Sequence, residues 1–176
     1  MRGENPLSDV DVLEWRRSGL SLVTNLPAAQ LPDRPVLASQ LHALPLVIPA
    51  SGLISGFLRG WFGADYRDEL DIAAEIDDVR YGFDLLRSDL LHGCMIVTRG
   101  VGEAADDGRL PEGRGLRTVE LVSDVGPEMH VLVGAFARRG ERQNHAPDHP
   151  LNLLWAALEL ENARWKRGEH RPAAAS

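Results

Sequence analysis

Residues 65–91, DYRDELDIAAEIDDVRYGFDLLRSDLL, are the longest periodic stretch of the chain, and their reading decides the fold. Ile72, Ala73, Ile76, Val79, Phe83 and Leu90 share one broad face of a helical wheel. Asp68, Asp71, Glu75, Asp78 and Asp89 share the adjacent face. A second pattern competes locally, because Leu70, Ile72, Ala74 and Ile76 alternate as a strand would. The 3.6-residue pattern runs longer, so the spacing predicts one helix capped by Asp65, with a bend at Gly82. From Asp65 to Asp89 nine acids face three arginines, a net −6 out of the chain's −7.

Toward the N-terminus, residues 7–18 are expected to form a first helix, with Ser8 as cap and Gly19 past its end. Leu20 to Leu26 reads as a short strand, and Pro27, Pro32 and Pro35 then break regular structure. Residues 35–58 contain no Asp, Glu, Lys or Arg. Three prolines and several polar groups there argue against a lipid-exposed span. The stretch reads instead as a buried strand, Leu44 to Ile48, feeding a helix from Gly52 to Phe62. Gly52, Gly56 and Gly60 recur every four residues on that helix, a ridge suited to close packing against another element.

Toward the C-terminus, Gly93 to Val101, Gly115 to Asp124 and Glu128 to Arg139 read as three strands with polar connections, hence an antiparallel meander. Asp148-His149-Pro150 opens a last helix, with Asp148 as the expected cap and proline in the first turn. The whole is expected to be an α+β fold, an antiparallel β-meander packed against a C-terminal helix after a mainly helical N-terminal half. One globular domain over residues 1–172 would end in a frayed tail at 173–176.

The chain has 176 residues, 44% hydrophobic, enough for a sizeable core. Of its 19 basic residues only Lys166 is a lysine, which excludes a phosphate loop ending in Gly-Lys and an internal Schiff-base lysine. Cys94 alone excludes an internal disulfide and multi-cysteine metal sites. A net charge of −7 argues against coating nucleic acid, and the MRGENPLSD start has no secretory apolar core. The expected setting is cytoplasmic, away from membranes, in a GC-rich bacterial source suggested by the arginine bias.

No catalytic motif is complete, so the leading expectation is a non-catalytic interaction protein: an adaptor, assembly or regulatory factor. It would contact a protein partner or a second copy through the acidic row Asp68, Asp71, Glu75 and Asp78. The alternative is a small metal-dependent enzyme, with a divalent ion such as zinc at His145, Asp148 and His149. A further alternative is a small-ligand-binding α+β fold whose helix closes a pocket over the sheet.

Overall fold

A computed structural model describes residues 9–126 and 130–166, which divide into two compact units. The larger spans 18–131 and the smaller combines 9–17 with 132–166. The 173–176 tail lies outside the described residues.

The larger unit is a mixed α/β structure around a six-stranded sheet. Its strands are β2 (Leu20–Thr24), β3 (Val36–Leu37), β4 (Leu46–Pro49), β5 (Ile72–Ile76), β6 (Cys94–Thr98) and β7 (Arg117–Val122), in the order β3-β7-β2-β6-β4-β5. β4 runs parallel to β5 and β6, and β3 parallel to β7. β2 is antiparallel to both its neighbours, β6 and β7, so it alone opposes the other five.

Local sequence explains the centre. Leu20-Ser21-Leu22-Val23-Thr24 is buried at every position, as a strand covered on both faces must be. Alternate side chains then divide between two cores. Leu22, Leu46, Ile48, Cys94, Ile96, Val119 and Leu121 join one cluster. Val23, Val47, Met95 and Val97 join the other. The first cluster is closed by α1 (Leu53–Phe62), through Ile54, Phe57, Leu58 and Trp61. The second is closed by α3 (Val79–Arg87), through Phe83 and Leu86, and by Ala105 of α4 (Arg99–Asp106). A short α2 (Tyr66–Glu69) precedes β5.

Several expectations need correction. Residues 65–91 are not one helix but α2, β5 and α3 in succession. The short alternating pattern was the correct signal, since β5 is an edge strand that half-buries Ile72 and Ala74 and buries Ile76. Gly82 is no bend: it sits inside α3, where a Cβ would come within 2.2 Å of the Met95 sulfur and 2.8 Å of Ile76 Cδ1. The antiparallel meander does not form either. β6 and β7 are separated by α4 and lie on opposite sides of β2, while β8 (Val131–Arg138) belongs to a different sheet.

That second sheet pairs β8 with β1 (Val10–Ser18), so the first predicted helix is a strand, as Val10, Val12 and Trp15 favour. The expected mainly helical N-terminal half is therefore replaced by alternating strands and helices. The position of Ser8, its expected cap, lies outside the described residues. In the smaller unit α5 (Pro150–Lys166) buries Trp155 and Asn162, and Asn162 Nδ2 donates to Glu14 C=O at 2.8 Å. Among the described residues no helix is long and apolar enough to cross a membrane.

Candidate ligand-binding site

β4, β5 and β6 all end at one edge of the larger sheet, and each feeds a helix there: α1, α3 and α4 respectively. α1 covers one face and α3 and α4 the other, so the chain winds outward from β4 to β5 and returns to β6 across the opposite face. The windings diverge between β4 and β6. Open α/β sheets take ligands in the crevice outside the carboxyl ends of the strands at such a point.

Helix starts supply the electrostatics of this edge. The first N–H groups of a helix lack intrahelical acceptors, and the aligned peptide dipoles leave partial positive charge there. Two of the helical starts on this edge are filled by the chain's own carboxylates. Asp78 caps α3, accepting from Arg80 N–H at 2.8 Å. Hydrogen bonds from the Arg80 guanidinium, then from its N–H, hold the Asp78 carboxyl below the usual aspartate range. Asp124, just beyond β7, fills the start of the 3-10 turn Ala38–Ala43. It accepts from Ser39 Oγ and from Ser39 N–H, the latter at 2.9 Å. Those two bonds, the hydroxyl's the larger, also hold its carboxyl low.

The other two starts are open. Neither α1, after Gly52, nor α4, after Thr98, has a side-chain cap. They are the two that flank the divergence between β4 and β6. Arg99 N–H at the head of α4 does donate to Gly19 C=O at 3.0 Å, and the Arg99 side chain pairs with Glu120. At α1 the first helical bond runs from Gly56 N–H to Gly52 C=O, leaving Leu53, Ile54 and Ser55 N–H ahead of it.

The approach to α1 is held rigidly. Ala50 N–H donates to Ile76 C=O, and Ser55 Oγ donates to Pro49 C=O, both at 2.9 Å. Arg67 Nη2 donates to Ala50 C=O at 2.9 Å, while its Nε pairs with Glu75 and its guanidinium lies 4.7 Å from the Tyr66 ring centroid. The Pro49, Ala50 and Gly52 carbonyls are thus occupied, and the turn into the helix uses Gly52 at φ 92°, where a Cβ would be strained. Ser51 and Gly52 are exposed and Leu53 is half exposed. The arrangement can hold a small anion against a preset group of backbone donors.

The acidic row foreseen from sequence is not the face of one helix. Asp68 lies in α2, Asp71 between α2 and β5, Glu75 in β5, and Asp78 caps α3. The glycine ridge is unpacked at Gly52 and Gly56, where a Cβ would meet nothing within 4 Å, while a Cβ on Gly126 would come within 3.0 Å of the Gly60 carbonyl oxygen.

In the smaller unit His145 and His149 do come together. Their rings stack at 3.9 Å between centroids and 8° between planes. His149 Nδ1 accepts from Leu151 N–H at 3.3 Å, so His149, not the expected Asp148, meets the start of α5. Among the described residues no three His, Cys, Asp or Glu side chains gather closely enough to hold a metal. Cys94 is buried, and burial pushes its thiol up despite a contact with Thr24 Oγ1.

Comparison with solved structures bears on the fold. An ancestral arginine-binding protein bound to glutamine matches at a TM-score of 0.52 and 13% identity, over 93% of this chain and 61% of that one. The effector-binding domain of QuiR in complex with shikimate matches at 0.56 and 11%, over 92% and 69%. The chain is similar in fold to small-molecule-binding domains. An amino acid ABC transporter substrate-binding protein from Streptococcus pneumoniae, bound to L-arginine, matches at 0.57 and 6%, over 96% and 60%. The chain therefore spans about 60% of the length of the two amino-acid-binding proteins. No family model and no curated protein matches its sequence.

These findings correct the leading expectation. The acidic face that supported an interaction protein is dispersed over four segments, and the three structures of similar fold named above hold amino acids or shikimate. The expectation of a protein partner or self-association falls with it. The signal that could have located the site was Pro49-Ala50-Ser51-Gly52, a turn between an apolar strand and a helical pattern, the mark of a β-α unit.

Proposed function

We propose that the chain binds a small organic acid, such as an amino acid or hydroxy acid, through its carboxylate at the start of α1. The observation that carries this reading is the division of helix starts on one sheet edge. Those of α3 and the 38–43 turn are filled by Asp78 and Asp124, and those of α1 and α4 are open. A ligand carboxylate would do at α1 what Asp124 does at Ser39. The fold likeness supports the reading, and the glutamine, arginine and shikimate named for those structures are all carboxylic acids.

The test is titration calorimetry against small amino and hydroxy acids, repeated with Leu53→Asp. That substitution puts a carboxylate in the first turn of α1, where it is compatible with the helix and competes for the same donors. The expected result is saturable binding that weakens about tenfold or more in the variant. Equal affinity for both proteins would contradict the reading.

A further inference from the structure

At the opposite pole of the larger sheet, beyond the ligand edge just described, lies an open hollow of about 510 Å³. The register places it there: Thr24, the last residue of β2, pairs with Cys94 and Arg117, the first residues of β6 and β7. Its lining includes Thr24, Asn25, Arg87, Asp89, Arg114 and Arg117. Three of the four charged groups are arginines, in a chain where 26 acids outnumber 19 bases.

The floor is rigid. Asn25 Nδ2 donates to Leu86 C=O and Leu91 C=O, each at 2.8 Å, and its Oδ1 accepts from Gly93 N–H at 3.0 Å. Arg117 Nη2 donates to Leu26 C=O at 2.6 Å and Leu31 C=O at 2.8 Å, and its Nη1 pairs with Asp33. The other two arginines differ. Arg87 and Arg114 are exposed, and neither side chain has a hydrogen bond or ion pair among the described residues. The adjacent hollow, which shares Leu116 and Arg117 with this one, is more acidic, with Asp33, Asp106 and Glu120 beside Arg34 and Arg117.

We infer that this hollow is a second binding site, for a doubly charged oxyanion such as inorganic phosphate or the phosphate group of a monoester. Two guanidinium groups without a hydrogen-bond partner among the described residues line one opening, and a guanidinium fork can hold phosphate oxygens bidentately. Arg117 is already paired with Asp33, which leaves Arg87 and Arg114 against Asp89, a net positive lining that attracts a dianion more strongly than a single carboxylate. The site is separate from the proposed organic-acid site. The five residues of β6 lie between the two ends of the sheet, about 15 Å at the usual strand rise.

The probe is inorganic phosphate, titrated at constant ionic strength at about pH 7.5, where it is largely dianionic, with acetate as the single-charge control. Wild type is expected to bind phosphate saturably and acetate at least about tenfold more weakly. Arg87→Gln combined with Arg114→Gln should weaken phosphate binding about tenfold or more. Because neither arginine side chain has a hydrogen bond or ion pair among the described residues, the melting temperature without ligand should stay nearly unchanged, as should organic-acid binding at α1. Arg87→Lys, which keeps the charge and loses the fork, should fall between the two. Equal phosphate affinity in wild type and double variant overturns the inference. So does an effect that follows ionic strength whatever the anion, or acetate binding as tightly as phosphate.

Discussion

The starts of α1 and α3 lie on the same sheet edge, one strand apart, and differ in who supplies the negative charge. At α3 the chain supplies it: Asp78 caps the helix and Arg80 neutralises it. At α1 no acid stands in the first turn and the cap is a glycine at positive φ. Both helices rest on complete cores, so the difference is not one of packing. A helix start that the chain fills contributes to stability and has nothing left to offer a ligand. One that is left open forgoes that stability and keeps its donors available.

The largest effects should come from loosening each helix in turn. Leu58 of α1 and Leu86 of α3 are both fully buried. Replacing either with alanine should lower unfolding free energy by about 2–5 kcal/mol in urea titrations. The two should part in ligand titrations made well below the unfolding midpoint, where Leu58→Ala weakens organic-acid binding and Leu86→Ala does not. Equal losses of affinity would erase the distinction between the helices.

Next in size is Leu53→Asp, which makes α1 resemble α3. Binding should weaken by about 1.4 kcal/mol or more, equivalent to tenfold, with little change in melting temperature.

Asp78→Ala makes the converse change, opening α3. Its melting temperature at neutral pH should fall modestly while ligand affinity at α1 stays the same. The sign with pH follows from the lowered Asp78 carboxyl. A depressed folded value means the stabilisation is complete above the ordinary aspartate value of 3.8 and is lost as pH falls through the folded value. Thermal melts should therefore show wild type and Asp78→Ala converging as pH drops below 3.8. A gap of constant size down to the acid limit would remove Asp78 as the ionised cap.

The smallest expected effect is at Gly56, inside α1 with open space around its Cβ position. Gly56→Ala should stabilise by about 1 kcal/mol or less and leave binding intact, showing that α1 can be stiffened without closing its start.

Much of this arrangement was legible in sequence, element by element. The apolar run around Leu46–Pro49, the α1 pattern, the strand after Gly19 and the Pro150 helix start are all present. The misreadings came where short elements abut. In residues 65–91 the end of α2, the alternation of β5 and the face of α3 add up to a false helical wheel. α4 was hidden because Arg99–Asp106 contains two glycines and few apolar residues, so it read as strand end and polar loop. Without α4, β6 and β7 looked like neighbours in a meander, although each pairs with β2, some 70 to 100 residues earlier. The site was less legible than the fold, because an open helix start is a property of backbone donors and leaves no side-chain motif. Asp78 illustrates the difficulty: it read as part of an acidic row, while its role is local, to the N–H two residues on.

The central claim is that α1 receives a carboxylate, and the most direct measurement isolates that group. Once an amino or hydroxy acid that binds is found by calorimetry, its methyl ester and its primary amide are titrated under the same conditions. Both retain the carbon skeleton and lose the negative charge. The account predicts that each binds about tenfold or more weakly than the acid, and that the difference shrinks in Leu53→Asp. An ester or amide binding as tightly as the acid would contradict it.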